Sequence, residues 1–322
     1  MVKLQKMRAS VGVALLAISL VNCRGDPTSL SDVLHERILV WRGSGPSGEI
    51  FLIRPDGGGR EQLTWNDVWD GQPHLSPDGR RIVFASERVT TPGDRPRLEI
   101  YVMNVDGSNT RQLTDGDGDA GHPRWSPDGT RVAFVRNDPV TFQGRIIVMN
   151  ADGSNIHPLI TDSAASDADP EWSPDGRKIL FQSVRSPRGI PTMYVMDATG
   201  TNVRMLAGDG ACAGWVNGAR WSPEANRIAY SCAMPQDLAI YTIEASGTGV
   251  TRISQPDPQS GRNNDFFPVW SPDGRRIAFT SGGPGFYAHS TYHVYVMRLD
   301  GTRIRVTTDS TWDFVSDWSR LR

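Results

Sequence analysis

Apolar and polar residues recur along this chain in a ten-residue pattern that ends in a β-branched, alternating run. The pattern reads WSPDGRRIAF from Trp270, and close variants begin at Leu75, Trp125, Trp172 and Trp221. Pro is pre-set for the first central position of a tight turn, and Gly takes the left-handed position that ends it. The apolar residues on either side of the turn therefore predict two antiparallel strands, named A and B here.

A second pattern follows each copy and consists of a β-branched or aromatic run and a D-G-S or D-G-T turn. Examples are IYVMNVDGSNTRQLT from Ile100 and VYVMRLDGTRIRVT from Val294, which predict strands C and D. Four short strands about every 48 residues, with turns at fixed offsets, are typical of β-propeller blades. Aligned on the serine of S-P-D-G, the copies lie 47 to 50 residues apart, at Ser76, Ser126, Ser173, Ser222, Ser271 and Ser319.

The two ends of the chain predict how the ring of blades closes. The last copy, DWSRLR, stops after strand A, whereas the segment from Arg37 begins like strand B with no strand A before it. We therefore expect the C-terminal strand A to join strands B, C and D of residues 37–64. This predicts an all-β fold, a six-bladed propeller of four-stranded blades over residues 37–322, without an open sheet edge at the join.

Two charges recur with every A–B turn. An acidic residue stands two positions after each serine and a basic residue five positions after it, as in Asp78 and Arg81. The two side chains can pair across the hairpin, and the Asp can accept hydrogen bonds from turn amides. We interpret both charges as turn stabilisation.

The repeats resemble the WD40-like PD40 repeats of the TolB family, over essentially all of residues 37–319. Members of that family carry an α/β domain before the propeller, and here only the segment 24–36 precedes the first predicted strand. Prolyl-oligopeptidase relatives, which share these repeats, add an α/β-hydrolase domain. No G-x-S-x-G nucleophile motif occurs in this sequence. The resemblance therefore implies a propeller alone.

The first residues predict an export signal. A basic stretch, MVKLQKMRAS, precedes VGVALLAISLV, an apolar run of about a dozen residues that is too short to span a bilayer. The run stops at Cys23, and SLVNC resembles the lipobox of bacterial lipoproteins, whose Cys is lipidated after cleavage. We expect residues 1–23 to be a signal peptide with Cys23 lipidated, and residues 24–36 to be a linker. An exported soluble form and an uncleaved anchor stay open, and all three place the body in the periplasm or at the cell surface.

Composition narrows the range of partners. The chain has 322 residues, a formal net charge of −2 and 38% hydrophobic residues. It can bury a large core, but it lacks the basic surface that nucleic-acid binding requires. We expect a monomer with no nucleic-acid partner, which contacts a membrane only through its lipid anchor.

The D–A and B–C loops share one face of the predicted propeller, which we call the rim. These loops are irregular, whereas the opposite face carries the stereotyped turns, and variable loops on a rigid scaffold usually carry function. Carboxylates recur there six residues before the blade serine, and Asp119 is one place off. They form either a binding rim or a set of caps, each for its own loop. The predicted binding residues are Asp70, His74, Asp119, His122, Asp167, Asp265 and Asp313.

One rim loop has a weak resemblance to a calcium site. Asp115, Asp117 and Asp119 alternate in DGDGDAGH, but the closing bidentate Glu of a calcium loop is missing. We expect no cofactor and keep calcium as the weak alternative. No H-E-x-x-H or H-x-H spacing occurs, although oligogalacturonate lyases, whose repeats are related, carry a His-ligated metal.

Two cysteines and several aromatic residues also fall on the rim. Cys212 lies in a D–A loop and Cys232 ends the next strand B, so we expect a disulfide in an oxidising compartment, with two buried thiols as the alternative. The aromatic residues either fill blade interfaces or stay exposed for binding, and the sequence does not separate the two groups. They are Trp65, Trp69, Trp215, Phe266, Phe267, Phe286, Tyr287, Tyr292 and Trp312.

We predict a non-catalytic interaction module at the cell envelope. Its rim would bind an envelope protein, a cell-wall-associated ligand or a glycan. The alternative is an enzyme, a lyase or hydrolase of polysaccharide or peptide, that uses rim carboxylates or histidines as acid and base. That alternative requires two such groups to converge in one rim pocket, about 5–10 Å apart for a glycosidase pair. The sequence identifies no catalytic residue.

Overall fold

The computed structural model describes residues 35–43, 47–88, 97–116, 118–160, 165–206, 212, 214–234, 237–255, 264–282, 291–308 and 312–321. Over these residues the chain forms 24 β-strands in six four-stranded antiparallel sheets. Within the same ranges no helix is long and apolar enough to cross a membrane. The expected signal peptide, Cys23 and most of the linker lie outside the described residues.

Each sheet is one blade, and the strands are given in the order A to D. Blade 1 consists of β24 (Asp313–Arg320), β1 (Glu36–Arg42), β2 (Glu49–Ile53) and β3 (Glu61–Gln62). Blade 2 consists of β4 (Asp70–Leu75), β5 (Arg81–Ser86), β6 (Glu99–Asn104) and β7 (Arg111–Gln112). Blade 3 consists of β8 (Ala120–Trp125), β9 (Arg131–Asn137), β10 (Gly144–Asn150) and β11 (His157–Pro158).

The remaining three blades repeat the same order. Blade 4 consists of β12 (Asp167–Trp172), β13 (Lys178–Ser183), β14 (Thr192–Asp197) and β15 (Arg204–Met205). Blade 5 consists of β16 (Trp215–Trp221), β17 (Arg227–Met234), β18 (Asp237–Glu244) and β19 (Thr251–Arg252). Blade 6 consists of β20 (Asp265–Trp270), β21 (Arg276–Gly282), β22 (Tyr292–Arg298) and β23 (Arg303–Arg305).

The ring closes as the two chain ends predict. Strand β24 pairs antiparallel with β1, with Ile38 opposite Trp318, and so supplies strand A of blade 1. The A strands of neighbouring blades contact one another around the whole ring, including β20 with β24 and β24 with β4. The six-bladed, all-β prediction is therefore confirmed.

The core lies between the blades. One cluster combines Leu39 and Ile50 of blade 1 with Ile82 and Phe84 of blade 2, and all four are almost completely buried. A single four-stranded blade could not cover both of its apolar faces, so the stacked neighbours supply that cover.

The A–B turns are built as the repeated residues suggest. In blade 2 the Ser76 hydroxyl donates to Asp78 at 2.5 Å and accepts from the Arg81 amide at 2.9 Å. Gly79 has a φ of 69°, the left-handed region that favours glycine. Blade 5 departs from this pattern, because Ala225 takes the left-handed position with a φ of 56°.

The recurring base has a second role that the sequence did not indicate. Arg81 stacks over the Trp125 ring of the next blade at 4.6 Å, and Arg131 stacks over Trp172 at the same distance. Each such cation–π contact joins the hairpin of one blade to strand A of its neighbour.

The blade closed by the two termini has an additional buried ion pair. The Glu36 carboxylate, which is fully buried at the start of β1, accepts from Arg276 of blade 6 at 2.9 Å. The Trp318 indole nitrogen donates to the same Glu36 oxygen at 3.2 Å, and Arg276 also stacks over the Trp318 ring. Trp318 therefore connects both chain ends and the preceding blade.

The Trp318→Ala variant tests this closure. Trp318 is 4% exposed, so its removal leaves a large cavity and deprives Glu36 of a donor, and we expect a loss of about 3–5 kcal/mol in the free energy of unfolding. Urea denaturation measures the loss. Trp65→Ala is the matched control, since Trp65 is 77% exposed and its removal should change stability by less than about 1 kcal/mol. Equal stability of the two variants would contradict the closure.

Candidate functional site

The four regularly spaced rim carboxylates are the first residues of their A strands, and they are buried. Asp70, Asp265 and Asp313 are 0% exposed, and Asp167 is 1% exposed. Each is paired with an arginine of its own blade instead of facing a shared opening. The pairs are Arg88 with Asp70 at 2.7 Å, Arg185 with Asp167 at 2.6 Å, Arg303 with Asp265 at 3.2 Å and Arg42 with Asp313 at 2.6 Å.

Burial perturbs the most enclosed of these groups. It raises the pKa of Asp265 to about 6, although the Ser281 hydroxyl donates to the carboxylate at 2.6 Å and Arg303 lies close by. Burial also raises the pKa of Asp167. Desolvation therefore outweighs the favourable partners at both positions.

Blade 3 departs from the pattern, and the reason lies in its register. Ala120 occupies the position of the carboxylate and lies opposite Arg136, as Asp313 lies opposite Arg42 in blade 1. The Nε and Nη2 atoms of Arg136 are buried and have no hydrogen-bond partner among the described residues. Asp119, one place earlier, is exposed and accepts from the Leu98 amide at 3.1 Å.

The loop with alternating aspartates is described only in part. Asp115 and Asp119 are exposed, and Asp117 lies outside the described residues. Among the described residues no group of three or more His, Cys, Asp or Glu side chains could hold a metal ion. The expectation of no cofactor and the weaker calcium alternative at this loop therefore both stay untested.

His74 and His122, which we predicted as rim residues, lie within the inner strands β4 and β8. A β-bulge in the inner strand of a blade, its strand A, turns residues toward the channel. In β4 the register shifts between Gly71 and His74, and Gln72 has a φ of 53°. The same left-handed position recurs in four further blades, at His122, Asp169, Gly218 and Phe267. Such bulges change the direction of the side chains that follow them. A sequence reading that assumes regular in–out alternation of side chains along a strand does not detect a bulge.

Charged side chains of the neighbouring blades 3, 4 and 5 meet at the inner strands. Asp169 lies 3.6 Å from the His122 ring and 3.3 Å from the Arg220 guanidinium, and Arg124 donates to Glu171 at 3.1 Å. The neighbouring arginines and His122 hold the pKa of Asp169 far below its usual range despite its burial. Sequence analysis missed this cluster, although Arg124, Glu171 and Arg220 each stand two residues before a blade serine, and His122 and Asp169 stand four before.

The rim itself displays large apolar side chains. Val140 is 80% exposed and Phe142 77% exposed in the B–C loop of blade 3. Other exposed members lie in D–A loops or at strand ends on the same face. The full set on the described rim is Trp65, Val140, Phe142, Trp215, Met234 and Trp312.

The structure separates the aromatic residues that the sequence left in one group. Phe266, Phe267 and Tyr292 pack together at the rim end of blade 6, and Trp69 packs against Trp41. Trp65, Trp215 and Trp312 are the exposed ones. Phe286 and Tyr287 lie outside the described residues.

A disulfide joins Cys212 and Cys232 at the rim end of blade 5, with their Cα atoms 5.6 Å apart. The bond ties the loop before β16 to the end of β17. Both cysteines are buried.

Comparison with known proteins places the repeats in a family context. Residues 94–214 match the family model PD40, described as the TolB beta propeller domain. A curated relative, the uncharacterized protein Atu1656 of Agrobacterium fabrum (strain C58), is 33% identical over 98 residues. Those residues are 30% of this chain and 29% of that protein, so the match spans less than a third of the relative's length.

Solved structures share the fold over most of this chain. TolB from Acinetobacter baumannii has a TM-score of 0.71 at 18% identity, over 89% of this chain and 67% of that one. Putative TolB from Agrobacterium tumefaciens has a TM-score of 0.66 at 18% identity, over 89% of this chain and 99% of that one. An oligogalacturonate lyase in complex with manganese has a TM-score of 0.55 at 16% identity, over 81% and 73%. These likenesses establish a TolB-like propeller fold and confirm the resemblance of the repeats.

Because the pKa of Asp265 is raised, we predict that its contribution to stability falls as the pH rises, which is the reverse of the usual behaviour of a carboxylate. The group has a pKa of about 6 when folded and about 3.9 when unfolded, so its contribution to stability is present below pH 4 and is lost as the pH rises through 6. Between pH 4 and pH 7 we expect the wild type to lose about 3 kcal/mol relative to Asp265→Asn, which cannot titrate.

Denaturant unfolding of both proteins at pH 4, 5, 6 and 7 measures the difference. Asp300→Asn is the control, because Asp300 is an exposed turn residue whose pKa is lowered by hydrogen bonds from Thr302. The control should stay nearly flat over this range, because a lowered pKa moves its titration below about pH 4. A difference between wild type and Asp265→Asn that stays flat with pH would disprove the assignment.

A double-mutant cycle tests Arg136 of blade 3, whose Nε and Nη2 atoms lack a hydrogen-bond partner in the described part of the chain. Ala120→Asp supplies Arg136 with the carboxylate that Asp313 supplies to Arg42, so we expect little or no loss of stability. In an Arg136→Ala background the same Asp is buried without a partner and should cost about 3–5 kcal/mol. Urea denaturation of the four proteins gives the coupling, and an equal cost of Ala120→Asp in both backgrounds would contradict the pairing.

Proposed function

We propose that this PD40-repeat propeller, TolB-like in its fold, is a non-catalytic binding module of the bacterial cell envelope that holds a protein partner on its rim. The observation that carries the proposal is the set of exposed rim residues Trp65, Val140, Phe142, Trp215, Met234 and Trp312.

The distribution of exposed apolar residues favours the rim as the binding surface over the rest of the described surface. The other exposed large apolar residues described are Ile156, Val203, Val250 and Ile304, which lie in or beside the outer D strands, one in each of blades 3 to 6. Tryptophan and other aromatic side chains dominate the binding energy of protein interfaces because they bury much area at low entropic cost. A rigid ring that presents three exposed tryptophans on one face suits such an interface.

An envelope location agrees with two independent features. The N-terminal sequence has the basic and apolar regions of an export signal followed by Cys23. The Cys212–Cys232 disulfide belongs to an oxidising compartment. We therefore propose that the body is exported and anchored by a lipid at Cys23, and that the partner is an envelope protein or another protein associated with the cell wall.

The rim carboxylates give the enzyme alternative little support. An acid–base pair must share one opening with its substrate, whereas Asp70, Asp167, Asp265 and Asp313 are buried and paired with arginines in four separate blades. These four groups are therefore better suited to holding the rim loops in place than to proton transfer.

Capture of the partner tests the rim. Full-length protein with a C-terminal tag is expressed in its native bacterium, crosslinked, purified from the envelope fraction and analysed by quantitative mass spectrometry. We expect the Trp65→Ala, Trp215→Ala, Trp312→Ala triple variant to recover at least ten times less of the partner, since loss of one interface hot spot alone costs about 2 kcal/mol.

A matched control removes exposed apolar residues elsewhere. Ile304→Ala with Val250→Ala lies on the outer strands and should leave partner recovery unchanged. Thermal unfolding must show that both variants fold. Undiminished recovery by the folded triple variant would eliminate the rim as the binding surface.

A further inference from the structure

Six side chains surround the channel at one level, each two residues before its blade serine. One is contributed by each inner strand, and in several blades a bulge precedes it. In blade order from 1 to 6 they are Asp317, His74, Arg124, Glu171, Arg220 and Val269.

On one side of this ring the charges balance. Arg124 pairs with Glu171 at 3.1 Å, and Arg220 pairs with Asp169 at 3.3 Å while lying 3.8 Å from Glu171. Two guanidinium groups thus face two carboxylates. The remaining carboxylate, Asp317, is on the other side of the ring.

Asp317 has a neutral neighbour on each side in the ring, although the more distant Arg124 and Arg220 also act on its carboxylate, whose pKa burial raises. Its oxygens accept from the main-chain nitrogens of Leu75 at 2.8 Å and Trp318 at 2.7 Å. His74 lies 3.9 Å away, beyond hydrogen-bonding distance. Burial and the nearby Arg124 lower the pKa of His74 to about 3, so His74 is uncharged at neutral pH. On the other side stands Val269, which is short and apolar.

A cavity of about 150 Å³ lies beside Asp317 and Val269. Its polar lining consists of His74, Glu171, Arg220, Ser316 and Asp317, and Trp221, Trp270 and Trp318 with Pro223 and Pro272 form the rest of its walls. Because the two prolines belong to A–B turns, the cavity lies at the end of the channel opposite the rim. Pockets for drug-sized ligands measure about 300–1,000 Å³, and an apolar cavity of about 150 Å³ holds one benzene-sized molecule. The space therefore suits one side chain or one small amine, and it is too small for an oligosaccharide.

We propose that this cavity binds an organic cation, an ammonium or guanidinium group, with its charge against Asp317 and its carbon chain between the tryptophan and proline walls. An apolar stem ending in a cation matches a wall of indole and proline rings above a carboxylate. Arg220 also lines the cavity, but Asp169 and Glu171 lie 3.3 and 3.8 Å from its guanidinium and offset much of its charge. The cavity is remote from the rim, so the proposal is independent of the rim's function.

The cation has two possible sources, a free amine or a basic side chain of a partner protein, and the probes distinguish them. Purified full-length protein is titrated with n-butylammonium, with an extended peptide that contains one lysine, and with the same peptide carrying glutamine instead. Calorimetry and tryptophan fluorescence report binding, since three tryptophans line the cavity. Ionic strength is held constant, and butanol and butyrate serve as neutral and anionic counterparts.

We expect binding of the cationic probes and at least tenfold weaker binding of their neutral or anionic counterparts. Preference for butylammonium indicates a free amine, and preference for the lysine peptide indicates a partner side chain. Absence of cation binding, or equal binding of butyrate, would overturn the proposal.

Substitution of the carboxylate tests its role directly. Asp317→Asn keeps the size of the side chain and should weaken cation binding at least tenfold. Asp106→Asn is the matched control, because Asp106 is an exposed turn carboxylate on the same face but outside the cavity. Equal affinity in the two variants would also overturn the proposal.

A second pair of variants keeps Asp317 in place. Val269→Lys places an ammonium group within the chain beside Asp317, whereas Val269→Met adds a similar length without charge. We expect Val269→Lys to abolish binding of added amines and to raise the unfolding temperature above that of Val269→Met. A lysine variant less stable than the methionine variant would count against a cation site at this position.

Discussion

The pairing of β24 with β1 is the constraint on which the rest of the structure depends. It turns a linear row of repeats into a ring, and the ring alone creates both a rim and a channel. The cross-strand pair of Arg42 and Asp313 joins residues separated by 271 positions in the chain. Contacts of such long sequence separation are costly in loop entropy and form late. Blade 1 therefore forms only after almost the whole chain is available, and Glu36, Arg276 and Trp318 hold it together afterwards.

The fold could be predicted from sequence because one physical problem is solved six times in similar residues. Every blade requires apolar strands that cover its neighbour, and blades 2 to 6 also require a left-handed residue in the A–B turn and a serine to cap that turn. These requirements leave local signatures such as Ser76 and Gly79. The stacking of Arg81 on Trp125 leaves no local signature, because the two residues meet only when neighbouring blades pack.

The candidate site was less predictable, for reasons that particular residues illustrate. Asp70 and Asp265 occupy the same position of their repeats, as the members of a binding ring would. Repetition alone does not distinguish an exposed carboxylate from a buried one that pairs with an arginine of another loop or strand. His74 and His122 were assigned to the rim because the bulge that turns them into the channel depends on backbone conformation. The exposed tryptophans could be separated from the buried ones only after the blades were assembled. The composition of the loops indicated on which face the exposed tryptophans lie. Which tryptophans are exposed depends on how the blades pack.

Blade 5 shows that one repeat can depart from the sequence pattern of the others and still form a blade. Its A–B turn has Glu224 in place of Asp and places Ala225 in a left-handed conformation. Val216 stands where blades 1, 2, 4 and 6 have a buried aspartate. The Cys212–Cys232 bond ties the other end of this same hairpin. A reductant would therefore act unevenly on the ring. It would release the hairpin with the poorest turn first, and local fraying of the ring would begin at β16 and β17, so the redox state of the surroundings determines where this propeller is weakest.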